Sequence, residues 1–241
     1  MELDCIFSVM SYCAPYDLSN CLLTCKYVST LNTQHLYKLL CEREHNLDCY
    51  NIINIVNIVD KTWKEKYLLW HSLDRLKSKL SLDIGLYELY MKNKLNLSNK
   101  KLKNIPTGLT NLTNLEILLL SGNQLTFIPS ELSNLTNLRT LYLNHNQLTT
   151  LPKELSNLKN LLYFWLDNNQ LNNIPTELGN LTNLKLLCLT NNQLTSIPDE
   201  LSNLTNLQSL YLDNNPLISI PFLPLYNLKI YGLDKILTKI A

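Results

Sequence analysis

The stretch Leu115-Glu116-Ile117-Leu118-Leu119-Leu120-Ser121-Gly122-Asn123-Gln124-Leu125-Thr126-Phe127-Ile128-Pro129-Ser130-Glu131-Leu132-Ser133-Asn134-Leu135 recurs, with small changes, through more than half of the chain. Pro106, Pro129, Pro152, Pro175, Pro198 and Pro221 stand 23 residues apart, without one insertion. Leu97, Leu120, Leu143, Leu166, Leu189 and Leu212 keep the same beat, and so do Leu102, Leu125, Leu148, Leu171, Leu194 and Leu217. Between the two leucine columns runs a third, Asn123, Asn146, Asn169, Asn192 and Asn215. A Leu-x-Leu alternation predicts a short strand with both leucines facing inward. The Asn follows where the chain must turn, and its side chain can bond backbone groups of neighbouring turns. Ile-Pro ends the extended run, and the Leu-x-x-Leu after it suits an irregular or helical return. No single unit can bury its leucines alone, so stacking of units must supply the core. Six strands at about 4.8 Å make a parallel sheet roughly 25 Å across.

The composition of the 241 residues agrees. Hydrophobic residues make up 46%, enough for one or two buried cores. Leucine is roughly a quarter of the chain and asparagine about an eighth, a bias typical of repeats. Charged residues are only 17%, and 21 Lys and Arg against 20 Asp and Glu leave a net charge of +1. A balance this close to zero supplies no long-range field for a phosphate backbone, which argues against nucleic acid as a partner. The five glycines, Gly85, Gly108, Gly122, Gly179 and Gly232, are too scattered for a phosphate-cradling loop.

The opening Met1-Glu2-Leu3-Asp4 is acidic where a secretory leader is basic, and no apolar run reaches the ~18 residues that span a bilayer. Six of the seven cysteines, Cys5, Cys13, Cys21, Cys25, Cys41 and Cys49, fall in the first 49 residues. Reduced thiols in a cytoplasmic or nuclear protein with no membrane association are the expectation. The sequons at Asn96, Asn111, Asn134, Asn180 and Asn203 follow from repetition, most of them within an Asn-Leu-Thr phrase.

The repeated phrase resembles a leucine-rich repeat of the 23-residue type over about residues 92–222. The resemblance implies a solenoid with a parallel β-sheet on its concave face. Lys92 and Lys100 stand in the first unit where later units have Leu and Asn, as an end unit allows, and residues 223–241 are expected to form a C-terminal cap. Residues between the inward leucines point to the concave side. One ladder there is Asn96, Leu119, Tyr142, Trp165, Cys188 and Tyr211, flanked by ladders that contain Tyr163 on one side and Asn144, Asp167 and Asp213 on the other. Tyr and Trp among short polar groups have the composition of a protein-binding hot spot. The expected substrate-binding face is therefore Leu119, Tyr142, Asn144, Tyr163, Trp165, Asp167, Cys188, Tyr211 and Asp213.

Residues 1–90 lack the period. Asp60 can cap a helix running through Trp63, Tyr67, Trp70, Leu73 and Leu76, whose spacing of three to four makes one apolar face. Leu3–Val9, Leu18–Tyr27 and Leu36–Arg43 also show helical spacing, with Ala14-Pro15-Tyr16-Asp17 as a turn. The phrases Val9-Met10-Ser11-Tyr12-Cys13-Ala14-Pro15-Tyr16-Asp17-Leu18 and Leu22-Leu23-Thr24-Cys25-Lys26 resemble the F-box. Met10, Cys13 and Val28 depart from that family's usual residues, and Glu2 stands where it has Pro.

The resemblance implies an adaptor. Ile6, Val9, Met10, Pro15, Leu18, Leu22 and Leu23 would dock on a Skp-family adaptor, and through it on a cullin ubiquitin ligase, by apolar anchors in a groove. The Asn-, Ile- and Lys-rich wording also resembles F-box and repeat proteins of giant DNA viruses of amoebae, for which the compartment would be the host cytoplasm. The expected plan is α/β. A small all-α F-box-like module (1–45) and linker helices or an N-terminal cap (46–90) precede six repeats (91–222) and the C-terminal cap (223–241).

Cys21-x-x-x-Cys25 and Cys41-x-x-x-His45-x-x-x-Cys49 put sulfur and imidazole on helical faces, as zinc would need. Small buried thiols in a helical core are the commoner origin of such spacing. His35, His45, His71 and His145 lie apart from any nucleophile motif. No catalytic residue, metal or cofactor is expected. The competing reading is a plain scaffold that binds a signalling protein or phosphatase, with the helical N-terminus serving only as a cap.

Overall fold

The Leu-x-Leu pairs become strands. A computed structural model describes residues 63–81, 86–220 and 228–232, and the chain divides into two units, Met1–Leu82 and Asp83–Ala241. In the first unit, α1 spans Trp63–Lys79. Glu65 in its first turn and Lys77 and Lys79 in its last complement the helix dipole. Leu69, Leu73 and Leu76 form its buried stripe at spacings of four and three. The F-box-like residues Ile6 to Leu23 and the candidate zinc residues lie outside the described residues.

In the second unit a short helix, α2 (Leu86–Met91), leads into a parallel sheet ordered β1-β2-β3-β4-β5-β6-β7. The strands are Lys94–Asn96, Ile117–Leu119, Thr140–Tyr142, Tyr163–Trp165, Leu186–Cys188, Ser209–Tyr211 and Lys229–Tyr231. From β1 to β6 each residue pairs with the one 23 positions on, as Leu118 does with Leu141 and Leu141 with Phe164. The seventh strand corrects the expectation of six. Lys229 pairs with Ser209, only 20 residues earlier, and the strand reads Lys-Ile-Tyr, so both the beat and the leucine pair are missing there.

The prolines set the return path. Pro129, Pro152 and Pro198 are extended, and the carbonyl of each accepts a bond that opens a 3-10 turn, from Leu132 (3.1 Å), Leu155 (3.2 Å) and Leu201 (3.1 Å). Pro has no N–H to leave unpaired at such a start, and it holds the preceding residue extended. That residue, Ile128, Leu151 or Ile197, is buried. The core is a set of columns, one leucine per repeat, with Phe164 standing once for leucine as its largest fully buried side chain.

The asparagine column binds repeat to repeat. Asn169 Oδ1 accepts from the Leu148 N–H of the preceding unit (3.0 Å), while its Nδ2 donates to the carbonyls of Leu143 and Leu166, both at 3.0 Å. Asn146 and Asn192 make the same three bonds one repeat earlier and later. The residue before each of these Asn is left-handed: Gly122, His145, Asn168, Asn191 and Asn214 all have φ between 54° and 67°. Glycine, asparagine and histidine are the residues that tolerate that region best. At Gly122 a Cβ would also meet the Asn99 Oδ1.

Candidate functional site

Alternation along three-residue strands turns one residue of each strand inward and two outward, so the exposed face of the sheet is ruled into straight columns. The register places Leu119, Tyr142, Trp165, Cys188 and Tyr211 in one line, with Asn96 before them and Tyr231 after. Tyr163 stands in the neighbouring line, between Thr140 and Leu186, and is 40% exposed. Asn144, Asp167 and Asp213 follow two residues beyond the central line. The register thus holds six of the nine residues expected on the concave face, and Asn144, Asp167 and Asp213 lie just past the strand ends.

Rings pair along the central line. Tyr142 and Trp165 stack with centroids 5.5 Å apart and planes 8° from parallel. Tyr211 and Tyr231 stack at 4.4 Å and 6°. Tyr231, 40% exposed, is the member that the sequence reading missed, because it belongs to the strand that breaks the period. Cys188 lies between the two pairs in the register and is only 6% exposed. Its Sγ lies 3.8 Å from the Thr190 Oγ1. Burial, first of all, raises the thiol above its ordinary value; bonds from Thr190 act the other way, and the Asp167 carboxylate adds to the rise. The thiol is thus kept protonated and is a poor nucleophile.

The polar line beside the rings is tied along the stack. Ser121 Oγ donates to Asn144 Oδ1 at 2.5 Å. Asn168 Nδ2 donates to Asp167 Oδ2 at 2.7 Å, while Asp167 Oδ1 is buried with no hydrogen-bond partner. Along the left-handed column, Asn191 donates to Asn168 Oδ1 (2.9 Å) and Asn214 to Asn191 Oδ1 (2.7 Å).

A second asparagine column escaped the sequence reading. Asn137, Asn160, Asn183 and Asn206 donate through Nδ2 to the carbonyls of Thr113, Thr136, Lys159 and Thr182, each 24 residues earlier. Its signal was the recurring Thr-Asn-Leu or Lys-Asn-Leu phrase, visible at the 23-residue beat. Asn114, Asn137 and Asn160 line a cavity of about 400 Å³ together with Met91, Asn93, Glu116 and Arg139. The Arg139 Nε stands 3.4 Å from Glu116 Oε2, and both side chains are open to solvent, so the pair adds little stability.

Among the described residues no group of three or more His, Cys, Asp or Glu could hold a metal ion. No helix among them is long and apolar enough to cross a membrane.

Comparison with known proteins agrees with this architecture. A family model described as a leucine-rich repeat region matches residues 85–215, and a second, for the leucine-rich repeat, matches residues 206–228. No curated protein matches the chain. Among solved structures, a leucine-rich-repeat protein of Leptospira interrogans is 34% identical, with a TM-score of 0.47; the match covers 60% of this chain and 41% of that one. The chain thus spans about two-fifths of the length of that relative. Leucine-rich repeats usually mediate protein–protein interaction, and proteins built from them are generally non-enzymatic scaffolds. With its 23-residue register, its asparagine ladder and a family model matching more than half its length, this chain belongs to the leucine-rich repeat family.

Proposed function

We propose that the chain is a non-catalytic adaptor whose repeat sheet holds a protein target on the surface formed by Leu119, Tyr142, Asn144, Tyr163, Trp165, Asp167, Cys188, Tyr211 and Asp213. The observation that carries this is the line of stacked aromatic pairs on an outward sheet face. Rings held parallel have little side-chain entropy left to lose, and Tyr and Trp are the residues that most often anchor protein interfaces.

Residues 1–45, on their F-box-like wording, serve as the second hand of the adaptor. Ile6, Val9, Met10, Pro15, Leu18, Leu22 and Leu23 engage a Skp-family adaptor, and the captured target is presented to a cullin ubiquitin ligase. On the resemblance of its Asn-, Ile- and Lys-rich wording to giant-virus proteins, that ligase is the host's. Residues 46–90 join the two modules, and the segment 223–241 closes the array.

Two comparisons test the proposal. The native chain is expected to co-purify with a Skp-family adaptor at equal stoichiometry, and a Pro15→Ala/Leu18→Ala double variant is expected to lose it. If neither binds while both remain folded by circular dichroism, the ligase role fails and a plain interaction scaffold remains. Separately, Trp165→Ala is expected to keep the fold and lose the target recovered by cross-linking from host extract. Unchanged recovery would remove the aromatic face from the binding site.

A further inference from the structure

The cavity of about 400 Å³ lies where the chain enters the first strands of the sheet. Its lining falls into two columns. Met91, Asn114, Asn137 and Asn160, each 23 residues from the next, form one, and Asn93, Glu116 and Arg139 form the other. Leu115 and Leu138, the residues between the two columns, are buried, while Asn137, Asn160 and Arg139 are exposed. The columns therefore stand as the two walls of a groove that crosses four repeats. From Met91 to Asn160 is three strand spacings, about 14 Å, the length of about four extended residues. Backbone bonds fix the second wall to the stack. The Asn93 carbonyl accepts from Glu116 (2.7 Å) and Ile117 (2.9 Å), and the Glu116 carbonyl from Arg139 (2.8 Å) and Thr140 (3.0 Å).

Both walls are half used. Asn137 and Asn160 each donate through Nδ2 to a carbonyl of the preceding unit, Thr113 and Thr136, both at 2.9 Å. Those bonds hold the amide planes, and each leaves its Oδ1 and one Nδ2 hydrogen for a group that enters the groove. The inner asparagine column shows the same side chain with both ends engaged: Asn169 Oδ1 accepts the Leu148 N–H at 3.0 Å while its Nδ2 donates to two carbonyls. On the opposite wall the Arg139 Nε is held 3.4 Å from Glu116 Oε2. The Nη edge of that guanidinium is left to donate, and Glu116 Oε1 to accept. Each wall thus offers a donor and an acceptor, and the two charges cancel.

We propose that this groove binds an extended, uncharged segment of a protein partner through its main chain. A trans peptide unit points its N–H and its C=O in opposite directions, and successive units of an extended chain alternate. A chain lying in the groove therefore turns an N–H and a C=O to each wall in succession, the two groups that each wall pairs. Walls whose charges cancel give a charged ligand little extra attraction. A sugar finds hydrogen bonds but no ring to cover its flat faces, since none of the lining residues is aromatic. Arg139 stands three residues before Tyr142, about 10 Å along the strand, so the groove does not depend on the reading of the ring-bearing face.

The test titrates the full chain with Ac-Ala-Gly-Ala-Gly-amide and follows the side-chain N–H resonances of Asn137, Asn160 and Arg139. The peptide is expected to shift all three and to saturate them in the millimolar range. An analogue methylated on the nitrogen of every residue keeps the carbonyls but loses the donors, and should bind at least about tenfold more weakly. An Asn137→Ala/Asn160→Ala variant with unchanged circular dichroism should bind the first peptide no better than the native chain binds the second. Equal binding of the two peptides by the native chain overturns the proposal, whether or not that variant folds. So do resonances unmoved up to about 10 mM peptide. Maltose shifting them at lower concentration than the peptide also overturns it and makes the groove a sugar site. A target lost on Trp165→Ala would uphold the aromatic face under any of these results, so the two ideas fail separately.

Discussion

Asn169 contributes more to this fold than its polarity suggests. It is buried, and its amide satisfies one N–H and two carbonyls drawn from two successive repeats. Replacing it with alanine would leave the buried Leu148 N–H without a partner and take one of two donors from each carbonyl, since Leu143 also accepts from Asn146 and Leu166 from Asn192, a loss of about 2–4 kcal/mol. Asn215 makes the equivalent bonds at a part-buried site near the end of the array. Water can replace some of them there, so Asn215→Ala should cost about 1 kcal/mol. Urea unfolding of the two variants, followed by circular dichroism, is expected to show this gradient. Equal losses would mean that the ladder acts through something other than burial.

At the scale of the element, the strands, turns and returns were legible because each has its own residue. Leu-x-Leu gave the strand, Asn the turn, and Ile-Pro the break. The 3-10 form of the return follows from the proline carbonyl accepting at the first turn, a detail that the Leu-x-x-Leu spacing leaves open. Two things were hidden. The strand Lys229–Tyr231 comes three residues early and carries no leucine pair, so neither period nor composition marks it, yet it completes the aromatic line through Tyr231. The burial of Cys188 was equally invisible, since alternation assigns it to the outside and yet it is only 6% exposed. The columns themselves could be read from the sequence because a strand has a fixed period of two. Which rings stack with which is a matter of side-chain rotamers, on which the sequence pattern is silent.

For the repeat unit as a whole, register matters more than the identity of any one repeat. Each unit touches chiefly its neighbours, and the same ladder bonds recur from one unit to the next. Deleting residues 138–160 removes one period of 23 and joins Asn137 to Leu161, so every column continues. This variant should stay folded and unfold cooperatively, with a urea m-value lowered in proportion to the surface lost. Deleting 138–159 instead leaves one extra residue at the junction, so that the strand there must either slip by one against its neighbour, turning its inward leucines out, or bulge. That variant should be markedly less stable. If the two deletions unfold alike, stacking in register is not what holds the array together. The arrangement also explains why the chain needs so little charge: with a net charge of +1 and ion pairs left to the surface, cohesion rests on leucine columns and backbone bonds.

Because the ladder bonds run along the stack, a pull on the two ends of the repeat array loads them in series, and the bond nearest a terminus yields before its neighbours feel the load. Held between optical traps, the array should lengthen in steps. Each released unit of 23 residues would add about 75–80 Å of contour, minus the one strand spacing it filled when folded. The short interval from β6 to β7 should give one step smaller than the rest, marking from which end the unravelling began.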